Sequence, residues 1–166
     1  MNIFYLNRKP EIAAQMMCDK HVVKMILESA QMLSTAHRVL DGDEHANNAG
    51  MYKMAHKNHP STIWVRANSE NYDWLWAHME ALMTEYTYRY GKHHATERLI
   101  HTLWEHPKNI TNGDFTDPPM CMPDHCKDED TVSAYHKYYI MEKSDFATWK
   151  RRDKPEWFYE REKEYA

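Results

Sequence analysis

The stretch Cys18–Leu40, CDKHVVKMILESAQMLSTAHRVL, constrains this chain more than any other. At about 100° per residue, His21, Lys24, Glu28, Gln31, Thr35 and Arg38 fall within about 100° of one another on a helical wheel. Val22, Met25, Ile26, Ala30, Met32, Leu33, Ala36 and Leu40 fill most of the remaining circumference. A helix apolar over so wide an arc is buried on most sides. Its polar stripe therefore meets solvent in one narrow strip or lines a cleft. His37 falls inside the apolar arc, near Ile26 and Leu33, and reads as a core histidine hydrogen-bonded to neighbouring backbone.

The rest of the composition agrees with a helical protein. The 166 residues are enough for one domain with a substantial core. Only 4 Gly and few β-branched runs favour helix over sheet. The expectation is an all-α, compact single-domain bundle over 1–166, with one long buried helix and an irregular Pro-rich segment near 107–127. The tail from about 153 to 166 is expected to be partly ordered, anchored by Trp157 and Phe158. The net charge of −4 argues against a protein that coats nucleic acid by charge alone, and leaves room for a local basic cleft. MNIFYL is too short an apolar run for a signal sequence or a membrane span. Three Cys, an odd and sparse number, fit a reducing compartment.

Taken in order, Met1–Leu6 is extended, as an edge strand or an arm packed on helices. Pro10 can start a short helix, Asp19 can cap the long one, and Asp41–Gly42 stops it. Gly42–Gly50 reads as a loop, and MYKMAHKNHP as a short helical turn ended before Pro60. Ser61 and Ser69 can cap the next helices. Tyr72, Leu75, Met79, Leu82, Met83, Tyr86 and Tyr90 recur at helical spacing, with Gly91 at a left-handed stop. Thr96 can cap ERLIHTLWEH, a last long helix follows Asp130, and Ser144 can cap a short one.

Four constellations carry chemistry. On the stripe, Lys24 and Glu28 are four apart and can pair, with His21 two turns before Glu28 as acid or base. In His56-Lys-Asn-His59-Pro60 two His could share a metal, joined by Cys18 or His21; alternatively, Asn58 and His59 contact a substrate from a Pro-fixed turn. In the segment from Glu85 to His94, Arg89 and Lys92 interleaved with Tyr suit a phosphate or a base stack, or simply complement a helix C-terminus. Arg89 and His94 also match the Arg-x4-His spacing of the HEPN ribonucleases. Cys121 and Cys126, with His125 between them, have a spacing that could hold zinc given a further ligand, or are surface thiols on a loop.

MNIFYL, CDKHVVKMILESAQMLSTAHRV, HKNHPSTIW, EYTYRYGKHH and Met122–Asp124 together resemble a group of proteins from tailed phages and large marine viruses. That resemblance implies a viral protein in the cytoplasm of an infected host cell. More distantly, Met1–Leu6, Cys18–Leu40, Asn58–Pro60 and Tyr86–Gly91 resemble, in their order, the pyrimidine-dimer DNA glycosylases of the phage endonuclease V type. Those are compact all-helical proteins in which the chain's α-amino group attacks the sugar C1′ and a carboxylate on the long helix supports the resulting imine. α-Amines titrate near pH ~8, so a fraction is neutral in the cell and can act as a nucleophile. The family's catalytic Arg-Glu pair is expected to fall on Lys20-His21, which leaves Glu28 as the nearest carboxylate on the stripe. Asn2 should leave Met1 in place, so the nucleophilic amine would be that of Met1.

The function expected is therefore cleavage of an N-glycosidic bond on a nucleic-acid base or nucleotide. Met1, His21 and Glu28 are the expected catalytic residues. Lys20, Lys24, Asn58, His59, Arg89, Lys92 and His94 are the expected substrate contacts. No cofactor is required; a metal at His56/His59 or Cys121/Cys126 is the exception considered. The rival readings are a metal-independent HEPN-like ribonuclease and a non-enzymatic viral protein that binds a host protein or nucleotide.

Overall fold

The computed structural model describes residues 1–159. Regular structure consists of seven α-helices and two 3₁₀ turns, with no strand among the described residues. The expected all-α class holds.

Pro10 occupies the first turn of α1 (Pro10–Met16), where a missing N–H costs nothing. Extended backbone at Met17 and Cys18 breaks the chain before α2 (Asp19–Asp41). Cys18, not Asp19, is the N-cap of α2. Gly42, at φ 84°, ends α2 in a conformation that L side chains rarely adopt.

Two local expectations fail because side chains of α2, Arg38 foremost, bond the segments that follow it. Asp43–Asn48, expected as loop, is a short helix, α3. Arg38 Nη1 donates to Asp43 Oδ1 at 3.0 Å and to Asn47 Oδ1 at 2.8 Å, one turn apart, and so clamps α3 onto α2. Met51–Ala55, expected as a helical turn, is extended instead. Its polar backbone groups are taken by α2: Tyr52 N by Ser34 Oγ, Ala55 N by Thr35 Oγ1, and Tyr52 O by Arg38 Nε. A segment whose backbone is paired sideways has no reason to coil.

α4 (Pro60–Ala67) and α5 (Ser69–Tyr90) follow, capped by His59 and Asn68 rather than by Ser61 and Ser69. Gly91, at φ 69°, provides the expected left-handed stop. A 3₁₀ turn at Ala95–Leu99, capped by His94 rather than Thr96, leads into α6 (Ile100–Trp104). The chain is then irregular, apart from a 3₁₀ turn at Asp124–Cys126, until Asp130 caps α7 (Thr131–Glu142). Among the described residues no helix forms after Ser144, whose hydroxyl donates to Ile140 O. Instead Trp149 Nε1 donates to Met16 O, Trp157 stacks on His136 with ring centres 3.9 Å apart, and Phe158 is buried. The remainder of the tail, 160–166, lies outside the described residues.

α5 packs against both α1 and α2, and α4 packs against α2 and α5. The N-terminal arm is buried from Ile3 to Leu6. Four contacts pin it. Asn2 Nδ2 donates to Cys121 O and Asn2 Oδ1 accepts from Phe4 N, while Trp74 Nε1 donates to Arg8 O and His136 Nε2 to Leu6 O. Phe4, at φ 52°, turns its ring onto His21 with centres 4.0 Å apart. The arm thus runs along α2 and brings the start of the chain to the polar stripe.

Candidate active site

The stripe on α2 divides into three parts. Thr35 and Arg38 are buried under the Met51–Ala55 segment. His21 is also buried, and this corrects its expected place as an acid or base beside Glu28. Tyr139 Oη accepts from Cys18 N and shares a hydrogen bond of 2.7 Å with His21 Nδ1. Burial, assisted by Lys143, Lys24 and Lys20, pushes the His21 imidazole down to about 3. A neutral ring clamped between Phe4 and Tyr139 is a core residue that locks the arm to α2 and α7.

Only the middle part of the stripe is open. Lys24, Glu28 and Gln31 line a cleft of about 610 Å³ together with Met1, Val23, Leu27, His56 and His94. The Met1 side chain is 2% exposed, although the residue as a whole is only half-buried, so its amino end is what faces outward. The α-amino nitrogen lies 3.6 Å from Glu28 Oε1, and Lys24 Nζ lies 3.8 Å from Glu28 Oε2. Each carboxylate oxygen therefore faces one cation, and the half-buried Glu28 is held between them.

Histidines surround this centre. His59 Nδ1 accepts from Ser61 N and His94 Nδ1 accepts from Thr96 N, so each ring caps its own helix or turn. Each ring therefore carries its proton on Nε2 when neutral. Burial lowers the His59 pKa, as do the nearby α-amino group and His56, against a smaller opposite pull from Glu28. Burial also lowers that of His94. Both are neutral near pH 7. His56 sits at φ 47°, left-handed backbone that a side chain other than Gly adopts at a cost.

The other expected contacts do not all meet here. Arg89, expected on a phosphate or paired with His94, is fully buried. Its guanidinium bonds Glu85 Oε1 at 2.9 Å, Asp19 Oδ1 at 3.0 Å and Gln15 O at 3.0 Å. It joins α5 to the α1–α2 junction and cannot reach a ligand, so Arg89 and His94 do not form a ribonuclease pair. Lys20 is exposed but lies over the Phe146 ring, 4.5 Å from its centre. Asn58 and Lys92 are exposed, one and two residues from His59 and His94. Cys18 is fully buried and His21 is held by Tyr139, so neither completes a metal site with His56 and His59. Cys121 Sγ pairs with Ser61 Oγ at 3.4 Å rather than with Cys126.

Sequence reasoning missed two cleft residues, Val23 and Leu27, which it assigned neither to the polar stripe nor to the apolar arc. They are 38% and 39% exposed and form an apolar rim beside Lys24 and Glu28. Their four-residue spacing next to the charged pair was the available signal. A second cleft of about 540 Å³, between Trp76, Trp104, Asp73, Glu105 and His106, has no nucleophile and is acidic.

A model of the pyrimidine dimer DNA glycosylase family matches residues 1–98. The chain belongs to this family. Every residue that lines the Met1–Glu28 cleft falls inside the matched span. It is a DNA glycosylase-like enzyme of DNA repair, acting on DNA bases by cleaving the N-glycosidic bond. No curated protein and no solved structure gives a significant match. No described helix is long and apolar enough to cross a membrane. The family's carboxylate was expected near Lys20-His21; the one that faces the amine is Glu28, two turns further along α2.

Proposed function

We propose that the Met1 α-amino group is the nucleophile of this glycosylase, that Glu28 is its partner carboxylate, and that the substrate is a pyrimidine dimer in duplex DNA. The observation that carries the proposal is the 3.6 Å separation of the amine and Glu28 in an open cleft. The damaged nucleotide leaves the stack and enters the cleft. A neutral amine attacks C1′, the C1′–N bond breaks, and the base departs with the bonding electrons and takes up a proton. The proton lost by the amine passes to Glu28 and on to O4′, so the sugar ring opens as an imine forms between the Met1 nitrogen and C1′, and Glu28 is free to act as a base. Glu28 then takes a proton from C2′, which allows the 3′ phosphate to leave.

Supporting roles follow from position. Lys24, 63% exposed, pairs with Glu28 and meets a phosphate. His94, a neutral ring at the wall, and His59, a neutral ring near the α-amino group, donate through Nε2 to a base or sugar oxygen. Asn58 and Lys92 contact the backbone at the cleft mouth. Val23 and Leu27 fill the space that the extruded nucleotide leaves. The protein is acidic overall, so DNA binding relies on few phosphate contacts.

The test is release of the base from its sugar in a duplex with a single cyclobutane pyrimidine dimer, read as alkali-labile strand scission because the freed base stays joined to its neighbour through the cyclobutane ring. Wild-type protein releases the base, and Glu28→Gln slows release by about 10²–10⁴-fold, as removal of a positioned acid–base group does. A wild-type protein that binds the lesion without releasing it would refute the reaction and leave a binding protein in its place.

A further inference from the structure

We propose that His125, Cys126 and Glu142 form a zinc site that fastens the irregular 105–130 segment to the end of α7. It lies outside the span that matches the glycosylase family and is independent of the cleft. One nitrogen, one sulfur and one carboxylate oxygen from these residues lie within 4.8 Å of one another. His125 and Cys126 come from the 3₁₀ turn at Asp124–Cys126, and Glu142 is the last residue of α7. His125 Nε2 and Glu142 Oε1 are already 2.6 Å apart. Ligand atoms around tetrahedral zinc stand about 3.3–3.8 Å apart, so the set closes on an ion by shifts of about 1 Å.

The donor set selects the metal. Calcium and magnesium take oxygen ligands, whereas a thiolate with an imidazole and a carboxylate suits zinc. On binding, Cys126 gives up its proton, and the thiolate and carboxylate together neutralise the ion's two charges. Cys126 is fully buried, while the His125 and Glu142 side chains are 54% and 37% exposed. The ion therefore enters from solvent, and water fills its fourth position. Cys121 is not a ligand, because its thiol faces Ser61, and Asp124 is paired with Lys127 at 3.0 Å.

The site has a structural consequence. The same segment supplies Cys121 O, which holds Asn2 and through it the start of the chain. Zinc would fasten this segment at its C-terminal end and stiffen the bed on which the arm lies.

The experiment is equilibrium dialysis of the whole protein against zinc, with metal counted per chain, followed by substitution with cobalt. The expected result is one zinc per chain and a thiolate-to-cobalt charge-transfer band that Cys126→Ser abolishes. His125→Ala, at an exposed position that tolerates truncation, weakens zinc binding by tenfold or more, whereas Cys121→Ala leaves it unchanged. Zinc also raises the thermal midpoint of wild-type protein but not of His125→Ala. Failure to bind stoichiometric zinc would overturn the proposal. So would zinc binding that survives His125→Ala and is lost instead on replacing His56 and His59.

Discussion

The Met1 α-amino nitrogen stands 3.6 Å from Glu28 Oε1, although 27 residues separate them in the chain. The arm makes this possible. Asn2 is tied to Cys121 O, Phe4 turns at φ 52° to stack on His21, and Tyr139 holds the other side of that imidazole. A free chain terminus frays unless it is anchored; here the Asn2 contact and the buried Met1 side chain anchor it up to the amine itself.

Glu28→Gln separates chemistry from folding. The carboxylate is half-buried and its two ion pairs are partly solvated, so stability should change by no more than about 1 kcal/mol. Denaturant titration then shows a near-wild-type midpoint, and base release falls by the two to four decades given above. A comparable loss of stability and activity would make Glu28 a structural residue.

Lys24→Gln should weaken DNA binding about equally for damaged and undamaged duplex. It should also lower the slope of log K against log salt by about 0.9, the signature of one lost phosphate contact. Fluorescence anisotropy over a range of salt concentrations measures both. A Lys92→Gln variant with no change in slope would remove Lys92 from the interface.

Arg89→Ala should destabilise the protein by about 3–5 kcal/mol, because Glu85 and Asp19 lose a buried partner. Arg152, which also bonds Glu85, offsets part of the loss. Urea unfolding gives the value. If Arg89→Ala were stable but failed to bind DNA, Arg89 would be a ligand contact after all.

Acid should unfold this protein through its core histidines. Burial lowers the pKa of His21 to about 3 and those of His37 and His78 to about 4. The unfolded chain binds these protons near pH 6.5 and the folded chain does not. Stability is therefore complete above pH 6.5 and falls as pH drops towards 4, by up to about 4 kcal/mol per pH unit if all three act together. Urea midpoints measured from pH 7.5 to 4 test this, and a flat profile would contradict it. His21→Gln should reduce that slope while leaving base release per folded molecule close to wild type.

Much of this was legible in the sequence, for physical reasons. α2 and α5 showed themselves through apolar spacing, and Gly42 and Gly91 through the stops they make possible. His37 was readable as core from its place on the wheel, and its Nε2 bonds the Tyr72 hydroxyl at 2.8 Å. α3 and the segment after it were hidden, because they depend on where the Arg38, Ser34 and Thr35 side chains reach. The stripe itself was real but overlong. A helical wheel shows which residues share a face, not which neighbouring segment covers them. His21 lies under Phe4, and Thr35 and Arg38 under Met51–Ala55, which leaves Lys24, Glu28 and Gln31 at the surface. Arg89 misled because a helix-terminal arginine looks the same in sequence whether it meets solvent or Asp19.

The central claim is that the chain's own first nitrogen performs the attack. Wild-type protein is mixed with dimer-containing duplex DNA and borohydride, the trapped complex is digested, and the modified peptide is sequenced by mass spectrometry. The account predicts a stable adduct on the α-nitrogen of Met1, absent when that amine is acetylated beforehand. An adduct on Lys24, or base release with no trapped species, would contradict it.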